Sequence, residues 1–197
     1  MRKLVEKKIV LATHNAGKVA EMKKLLAPYG IDIVSADGLA EPEENGTTFA
    51  QNALIKARAA AKEAGVPALA DDSGLCVHAL NDRPGIYSAR YNEPKKNGFM
   101  YAMEKLNEEL GDAKDRSAHF FCAVALAYPD GDEAVFEGRV DGTLVFPVRQ
   151  NGHGFGYDPM FMPDGYDKTF GELDDSVKNL ISHRARALNA FIKGCLS

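Results

Sequence analysis

Long hydrophobic runs are missing from this sequence. The longest uninterrupted apolar stretch, Phe120 to Tyr128, spans nine residues, about half of what a membrane-spanning helix requires. The basic start (Arg2, Lys3, Lys7, Lys8) is followed by no apolar signal core, so neither a membrane partner nor secretion is expected. Cysteine is scarce. Cys76, Cys122 and Cys195 are odd in number and form no CxxC pair, which reads as three reduced thiols in a cytoplasmic protein. No Lys/Arg block exceeds a pair, and the formal net charge is -4. A dedicated nucleic-acid partner is therefore not expected, because phosphate neutralisation needs a basic face; a local basic pocket remains open. The five histidines, His14, His78, His119, His153 and His183, fall at no metal-ligand spacing, and no HExxH occurs, so zinc is not expected. No GxSxG elbow exists and Ser73 has no evident histidine partner, which argues against acyl transfer.

What is present is globular. The chain has 197 residues, 45% hydrophobic and 26% charged, and at this length roughly 70% of the unfolded surface can be buried without disulfides or a structural metal. No repeat, low-complexity stretch or linker interrupts it, so residues 1–197 are expected to form one domain of two lobes.

Hydrophobic patterning predicts strand–helix alternation first. Ile9 to Ala12 reads as a buried strand, and a helix follows to about Leu26, ended by Pro28 and Gly30. Ile31 to Ser35 is a second strand. Thr48 and Gln51 have capping-box spacing and open a long helix to Ala64, with Gly65 as its stop. Val66 to Ala70 is a third strand, turning at Asp71-Asp72-Ser73-Gly74, and a helix covers about Gly98 to Leu110. Hairpins come second: Ala118–Tyr128, Glu133–Val140 and Thr143–Val148 read as strands joined at Pro129–Asp132 and Asp141-Gly142. A last helical stretch runs from Ser176 to Lys193. The fold class is α/β with a mixed sheet and flanking helices.

Four places carry candidate chemistry. Thr13-His14-Asn15-Ala16-Gly17-Lys18 joins a strand end to a helix N-terminus, where free N–H groups, a hydroxyl, an amide and a lysine make an anion cradle. A polar cap with a solvated lysine fits the same residues. Asp71-Asp72 costs free energy to bury unless a cation neutralises it. Oxygen ligation of Mg²⁺, with one carboxylate left to activate water, is one reading; a solvated turn is the other. Glu43 and Glu44 add carboxylates just before the long helix, and Lys56 falls on that helix's apolar stripe one turn after Asn52. It either snorkels or reaches a phosphate. Finally, His183 and Arg184 open a helix against its dipole. The glycine-flanked Phe155-Gly156-Tyr157-Asp158 offers aromatics that either stack a base or fill a core.

Six blocks stand in a fixed order from Ile9 to about Ala190: Thr13 to Lys18; Glu44-Asn45-Gly46-Thr47-Thr48-Phe49 with Asn52-Ala53 through Lys56-Ala57; Ala70-Asp71-Asp72-Ser73-Gly74-Leu75; Pro84 to Arg90; Gly154-Phe155-Gly156-Tyr157-Asp158-Pro159; and Ser182-His183-Arg184. In that order they resemble the inosine triphosphate pyrophosphatase family. His14 departs from the glycine many members carry, and Gly152-His153-Gly154 is a variant lead-in, so the parts played by His14 and His153 stay open.

The resemblance implies an elongated mixed α/β fold, two lobes enclosing a nucleotide-binding cleft, a homodimer, and one Mg²⁺ per subunit. It implies hydrolysis of non-standard purine nucleotides (ITP, dITP, XTP) to the monophosphate plus pyrophosphate. By position it gives Glu44 and Asp72 the metal and Asp72 the proton from the attacking water, with Asp71 as a supporting acid. Thr13, His14, Asn15, Ala16, Gly17, Lys18 and Lys56 hold the triphosphate. Ser73, Phe155, Gly156, Tyr157, Asp158, Lys178, His183 and Arg184 line the nucleotide. Arg184 is expected to donate to the C6 oxygen of the base, since it carries donors only. Two other readings compete: a septum-inhibitor-type pyrophosphatase for modified pyrimidine nucleotides, whose Ser-Arg-rich opening loop is absent here, and a non-catalytic nucleotide-binding module.

Overall fold

The computed structural model of the protein describes residues 2–93 and 98–196. The first strand, β1 (Lys8–Leu11), buries Ile9, Val10 and Leu11 in succession, the mark of a strand covered on both faces. Asn15 caps α1 (Ala16–Leu26) by accepting a hydrogen bond from the Lys18 N–H at 3.2 Å. Met22 and Leu26 are the buried face of that helix. A short turn leads into β2 (Asp32–Ser35), which pairs parallel with β1, Ile9 opposite Ile33. Parallel pairing needs such a crossover, and α1 supplies it.

Thr48 caps α2 (Phe49–Ala64), its hydroxyl accepting from the Gln51 N–H. Gln51 returns the contact one residue early, accepting from the Thr47 N–H at 2.7 Å. The capping box therefore forms in shifted register. The next strand, β3 (Ala68–Val77), pairs parallel with β1 at Val10–Ala68 and Leu11–Leu69. It runs straight through Asp71-Asp72-Ser73-Gly74, where the sequence predicted a turn. The reason is electrostatic: the two carboxylates meet cations and an amide, described below, and need no water.

Further along, β4 (Arg83–Pro84) pairs antiparallel with β3, and α3 (Met100–Leu110) buries Ala102, Met103, Leu106 and Leu110. Two long strands follow, β5 (Ser117–Ala127) and β6 (Glu133–Leu144). The predicted hairpin at Asp141-Gly142 does not exist, because β6 continues through it to pair with β7 (Phe161–Pro163), Gly142 opposite Pro163. A side chain at Gly142 would meet the Met162 carbonyl oxygen and lie 2.7 Å from the Phe161 ring. This glycine permits close strand approach, not a turn. The predicted last helix is two: α4 (Asp175–Ile181) and α5 (His183–Phe191), broken at Ser182, whose ψ of 159° is extended.

The sheet is seven-stranded in the order β2-β1-β3-β5-β6-β7, with β4 beside β3. The chain divides into two compact units. Unit 1 is Met1–Asp72, Cys122–Gly138 and Arg184–Ser197; unit 2 is Ser73–Phe121 and Arg139–His183. Each has its own core. Ile9, Leu11, Leu69, Val124, Leu188 and Phe191 belong to that of unit 1, and Leu75, Leu106, Phe120, Phe161 and Phe170 to that of unit 2. The Phe120 and Phe161 rings lie 4.6 Å apart between centroids, a favourable aromatic separation.

Gly142→Ala is expected to destabilise the protein by about 1–3 kcal/mol, the usual range for overpacking a site with no room. Urea unfolding measures it. A variant as stable as the wild type would show that β7 yields at no cost.

Candidate active site

Unit 1 places Asp71 and Asp72 side by side on β3, and successive strand residues point to opposite faces. Their surroundings differ accordingly. Asp71 is fully buried. Its Oδ2 accepts from Arg184 Nε at 3.2 Å and Arg184 Nη2 at 3.0 Å, and lies 3.2 Å from Lys18 Nζ. Burial pushes the Asp71 carboxyl up, but Lys18 and Arg184 more than offset it, and the group stays ionised far below the usual carboxylate range. Its Oδ1 is buried and, among the described residues, has no hydrogen-bond partner.

Asp72 goes the other way. Asn52 Nδ2 donates to its Oδ2 at 3.2 Å, and Lys56 Nζ stands 3.7 Å from its Oδ1. Burial pushes this carboxyl above its ordinary value, with Glu44 adding to the push and Lys56, Lys18 and the Asn52 hydrogen bond acting against it. Lys56 Nζ also donates to Glu44 Oε1 at 3.1 Å. The lysine thus sits between two carboxylates, and Asn52 and Lys56 both lie on the buried face of α2. Burial opposes the Lys56 charge, but Asp72, Asp71 and Glu44 together raise its pKa. Two carboxylates that meet around one ammonium offer hard oxygen donors of the kind Mg²⁺ takes, so Glu44 and Asp72 fit a divalent cation.

The residues expected to hold phosphate gather at the start of α1. The Thr13 hydroxyl accepts from the Asn15 N–H at 3.2 Å. Ala16 and Gly17 open the helix, where N–H groups have no intrahelical acceptor. His14 faces Glu41 at 3.8 Å, both side chains exposed. Beside them is an open hollow with about 280 Å³ of empty space, lined by His14, Ala36, Leu39, Glu41 and Lys56 among others.

The remaining expected residues belong to unit 2, save one. Asp158 Oδ2 accepts from the Phe155 N–H at 2.7 Å and from Lys178 Nζ at 2.6 Å. Lys178 Nζ also lies 4.5 Å from the centre of the Phe155 ring. Tyr157 is a core residue whose hydroxyl donates to the Ser88 carbonyl at 2.7 Å, so of the two loop aromatics only Phe155 is partly exposed. His183 stacks on Phe120 at 4.7 Å and 13°. Ser73 is half-buried.

Arg184 is the exception. It belongs to unit 1, is 2% exposed, and gives Nε and Nη2 to Asp71 and Nη1 to Glu21. Three of its five guanidinium N–H donors thus go to two carboxylates, the kind of partner a buried guanidinium requires.

The model of the Ham1 family matches residues 9–194. This chain belongs to the Ham1 family. That agrees with the resemblance carried by the six blocks. A dITP/XTP pyrophosphatase of Gluconobacter oxydans is 53% identical, over all of this chain and 95% of that protein. Another, from Bradyrhizobium sp., is 52% identical over 96% of this chain and 94% of its own. Among solved structures, a HAM1 protein from Coxiella burnetii superposes with a TM-score of 0.87 at 40% identity, covering 96% of this chain and 98% of that one. A nucleoside-triphosphatase / dITP/XTP pyrophosphatase from Mycobacterium abscessus gives 0.74 at 40% identity, covering 94% and 98%.

In this Ham1 chain, two unit 1 residues belong to the site but were not singled out from the sequence. Glu21 shares Arg184 with Asp71, and the Cys122 thiol lies 3.8 Å from Asp71 Oδ2. Burial pushes that thiol far above its usual range, so it stays protonated. The i, i+3 spacing of Lys18 and Glu21 on one helix face was the available signal for Glu21. Nothing local marks Cys122.

Replacing Asp71 by Asn should cost about 3–5 kcal/mol, because it breaks the buried ion pair with Arg184 and takes the counter-charge from half-buried Lys18. Asp72→Asn should change stability by less than about 1 kcal/mol, since its ionised form is already disfavoured by burial and Glu44. Parallel urea titrations of the two variants test the asymmetry. Equal losses would refute it.

Proposed function

We propose that this chain is a Mg²⁺-dependent nucleoside-triphosphate pyrophosphatase. Its substrates are ITP, dITP and XTP, cleaved to the monophosphate and pyrophosphate. On this reading residues 1–197 act as one catalytic domain, as a homodimer in the cytoplasm, and keep non-standard purines out of nucleic acids. The curated dITP/XTP pyrophosphatases at about half identity over the whole chain support the substrate class. One structural observation carries the mechanism. Adjacent carboxylates are driven apart in acidity, Asp71 ionised against Lys18 and Arg184 and Asp72 raised by burial beside Lys56. Titratable neighbours pushed in opposite directions are how acid–base roles are divided.

Asp72 takes the proton of the attacking water as the oxygen closes on the α-phosphorus and the bond to the α–β bridging oxygen breaks. Pyrophosphate leaves with the electron pair of that bond. Lys18, Lys56 and the N–H groups of Ala16 and Gly17 hold the phosphate oxygens, with Thr13 and Asn15 shaping the loop. Mg²⁺ held by Glu44 and Asp72 would neutralise charge on the triphosphate. Lys56 then exchanges part of its pairing with Glu44 for phosphate. Asp71 keeps Lys18 in place, and Arg184 with Glu21 keeps Asp71 in place. Ser73, Phe155, Gly156, Tyr157, Asp158, Lys178, His183 and Arg184 retain the nucleotide-lining role the family resemblance gives them. Phe155 is the face for a base to stack on, and Tyr157 and Asp158 are the frame that fixes it.

Asp72→Asn should remain folded and lose about 10²–10⁴-fold in turnover, the usual worth of a general base. The assay is pyrophosphate release from ITP with and without Mg²⁺. Near-wild-type turnover in the variant, or orthophosphate as first product, would contradict the mechanism; no release at all by the wild type would leave only a binding module.

The substrate class has its own test. Across a panel, kcat/KM for ITP and XTP should stand well above ATP and GTP. An adenine site lacking an acceptor for the 6-amino group loses about 1–3 kcal/mol, roughly ten- to a hundred-fold. GTP must be rejected through its 2-amino group, by a wall the Phe155–Asp158 loop provides. Equal efficiency on ITP and GTP would sink the assignment, and preference for modified pyrimidine nucleotides would replace it.

A further inference from the structure

Unit 2 contains a cluster that the proposed reaction does not use. His78 follows the end of β3, His119 lies on β5 and Asp141 on β6, and one ligand atom from each falls within 4.8 Å of the others. His78 Nε2 and His119 Nδ1 face each other at 2.9 Å. With metal–nitrogen bonds of 2.0–2.1 Å at tetrahedral angles, two imidazoles on one ion hold their nitrogens about 3.3–3.4 Å apart, so the rings part by about 0.4 Å to admit it.

The hydrogen bonds behind the cluster fix which nitrogen of His78 carries hydrogen. Ser117 Oγ donates to Asp115 Oδ1 at 2.5 Å, because a carboxylate only accepts. That spends the only hydroxyl proton. Ser117 Oγ, 2.8 Å from His78 Nδ1, must then accept from that nitrogen. His78 Nδ1 therefore carries hydrogen, and Nε2 is the ring nitrogen turned toward His119. A carboxylate reaching an imidazole through a hydroxyl is the kind of outer partner that orients a metal-ligating histidine. His119 is buried, and burial and then the Arg139 guanidinium hold it below its ordinary pKa. Both bonds from Arg139 to Asp141, 2.9 Å from Nε and 2.5 Å from Nη2, fall on Oδ1.

We propose that His78, His119 and Asp141 form a binding site for a borderline divalent transition metal, zinc foremost. Two imidazoles and a carboxylate suit that ion, whereas an oxygen-only set such as Glu44 with Asp72 suits Mg²⁺. Three protein ligands leave a fourth position for water. His119 binds through Nδ1, so the existing contact between the two rings gives way to the metal. The ion ties together the ends of three strands of unit 2. The site does not depend on the nucleotide reading, and the two fail separately.

The test is zinc titration of the full-length protein against a chromophoric chelator, with millimolar Mg²⁺ present to occupy the oxygen-only carboxylates. One zinc per chain is expected. His78→Ala and Asp141→Asn should each weaken binding by at least tenfold. Ser117→Ala should weaken it about tenfold through the outer contact. Arg139→Ala should bind at least as tightly as the wild type, since it removes a like charge and frees Asp141. A ¹⁵N imidazole spectrum of the wild type, which needs no variant to fold, should show the ring signals of His78 and His119 alone moving with one equivalent of zinc. Unchanged ring signals, no stoichiometric uptake, or equal affinity in the wild type and His78→Ala would overturn the proposal.

Discussion

The buried carboxylate of Asp71 is the constraint on which unit 1 is organised. An ion with no access to water must be compensated by partners. Here they come from far along the chain: Lys18 from α1, Arg184 from the start of α5, and Glu21, again from α1, to balance the arginine. Strand β3 can run through an Asp-Asp pair only because of this. Without those cations, the same four residues would make a good turn in water. The charge network therefore decides secondary structure, and not only the site built upon it.

From that constraint follows the difference between two neighbouring acids. Alternation along the strand sends Asp71 toward two cations and Asp72 toward Asn52, Lys56 and Glu44. One is locked in its charged form. The other is held where protonation is easier. A single strand thus supplies both a fixed counter-ion for Lys18 and, in the proposed mechanism, the proton-accepting carboxylate, without a loop that must be held rigid by other means.

Unit 2 solves a similar problem with one acid. Asp158 takes the Phe155 N–H and the Lys178 ammonium on the same oxygen, and a side chain at Gly154 would lie 2.5 Å from that oxygen. The glycine, at φ +73°, leaves room for the carboxylate to close the loop. Phe155 is held by this turn, and Tyr157, tied to Ser88, anchors it in the core. The loop's two aromatics, identical in promise as stacking surfaces, differ because one is committed to packing.

Local signals determined the start of the chain. The apolar run of β1, the Thr48 cap and the Gly65 stop act within a few residues, so the sequence alone placed α2 with its boundaries and the end of α1 near Leu26. The same holds for Lys56 and Asn52, which helical periodicity put on one face. The order of the six blocks likewise carried the family before any coordinates. Interactions between distant residues were beyond reach. That Gly142 serves strand contact depends on Phe161 and Met162; that Ser182 breaks a helix, that Arg184 answers Asp71 and Glu21, and that His78 meets His119 across 41 residues depend on where the sheet and helices carry them. Propensity, capping and periodicity are properties of short segments, whereas partner choice for buried charges and imidazoles is made by packing. Tertiary structure alone decided those pairings.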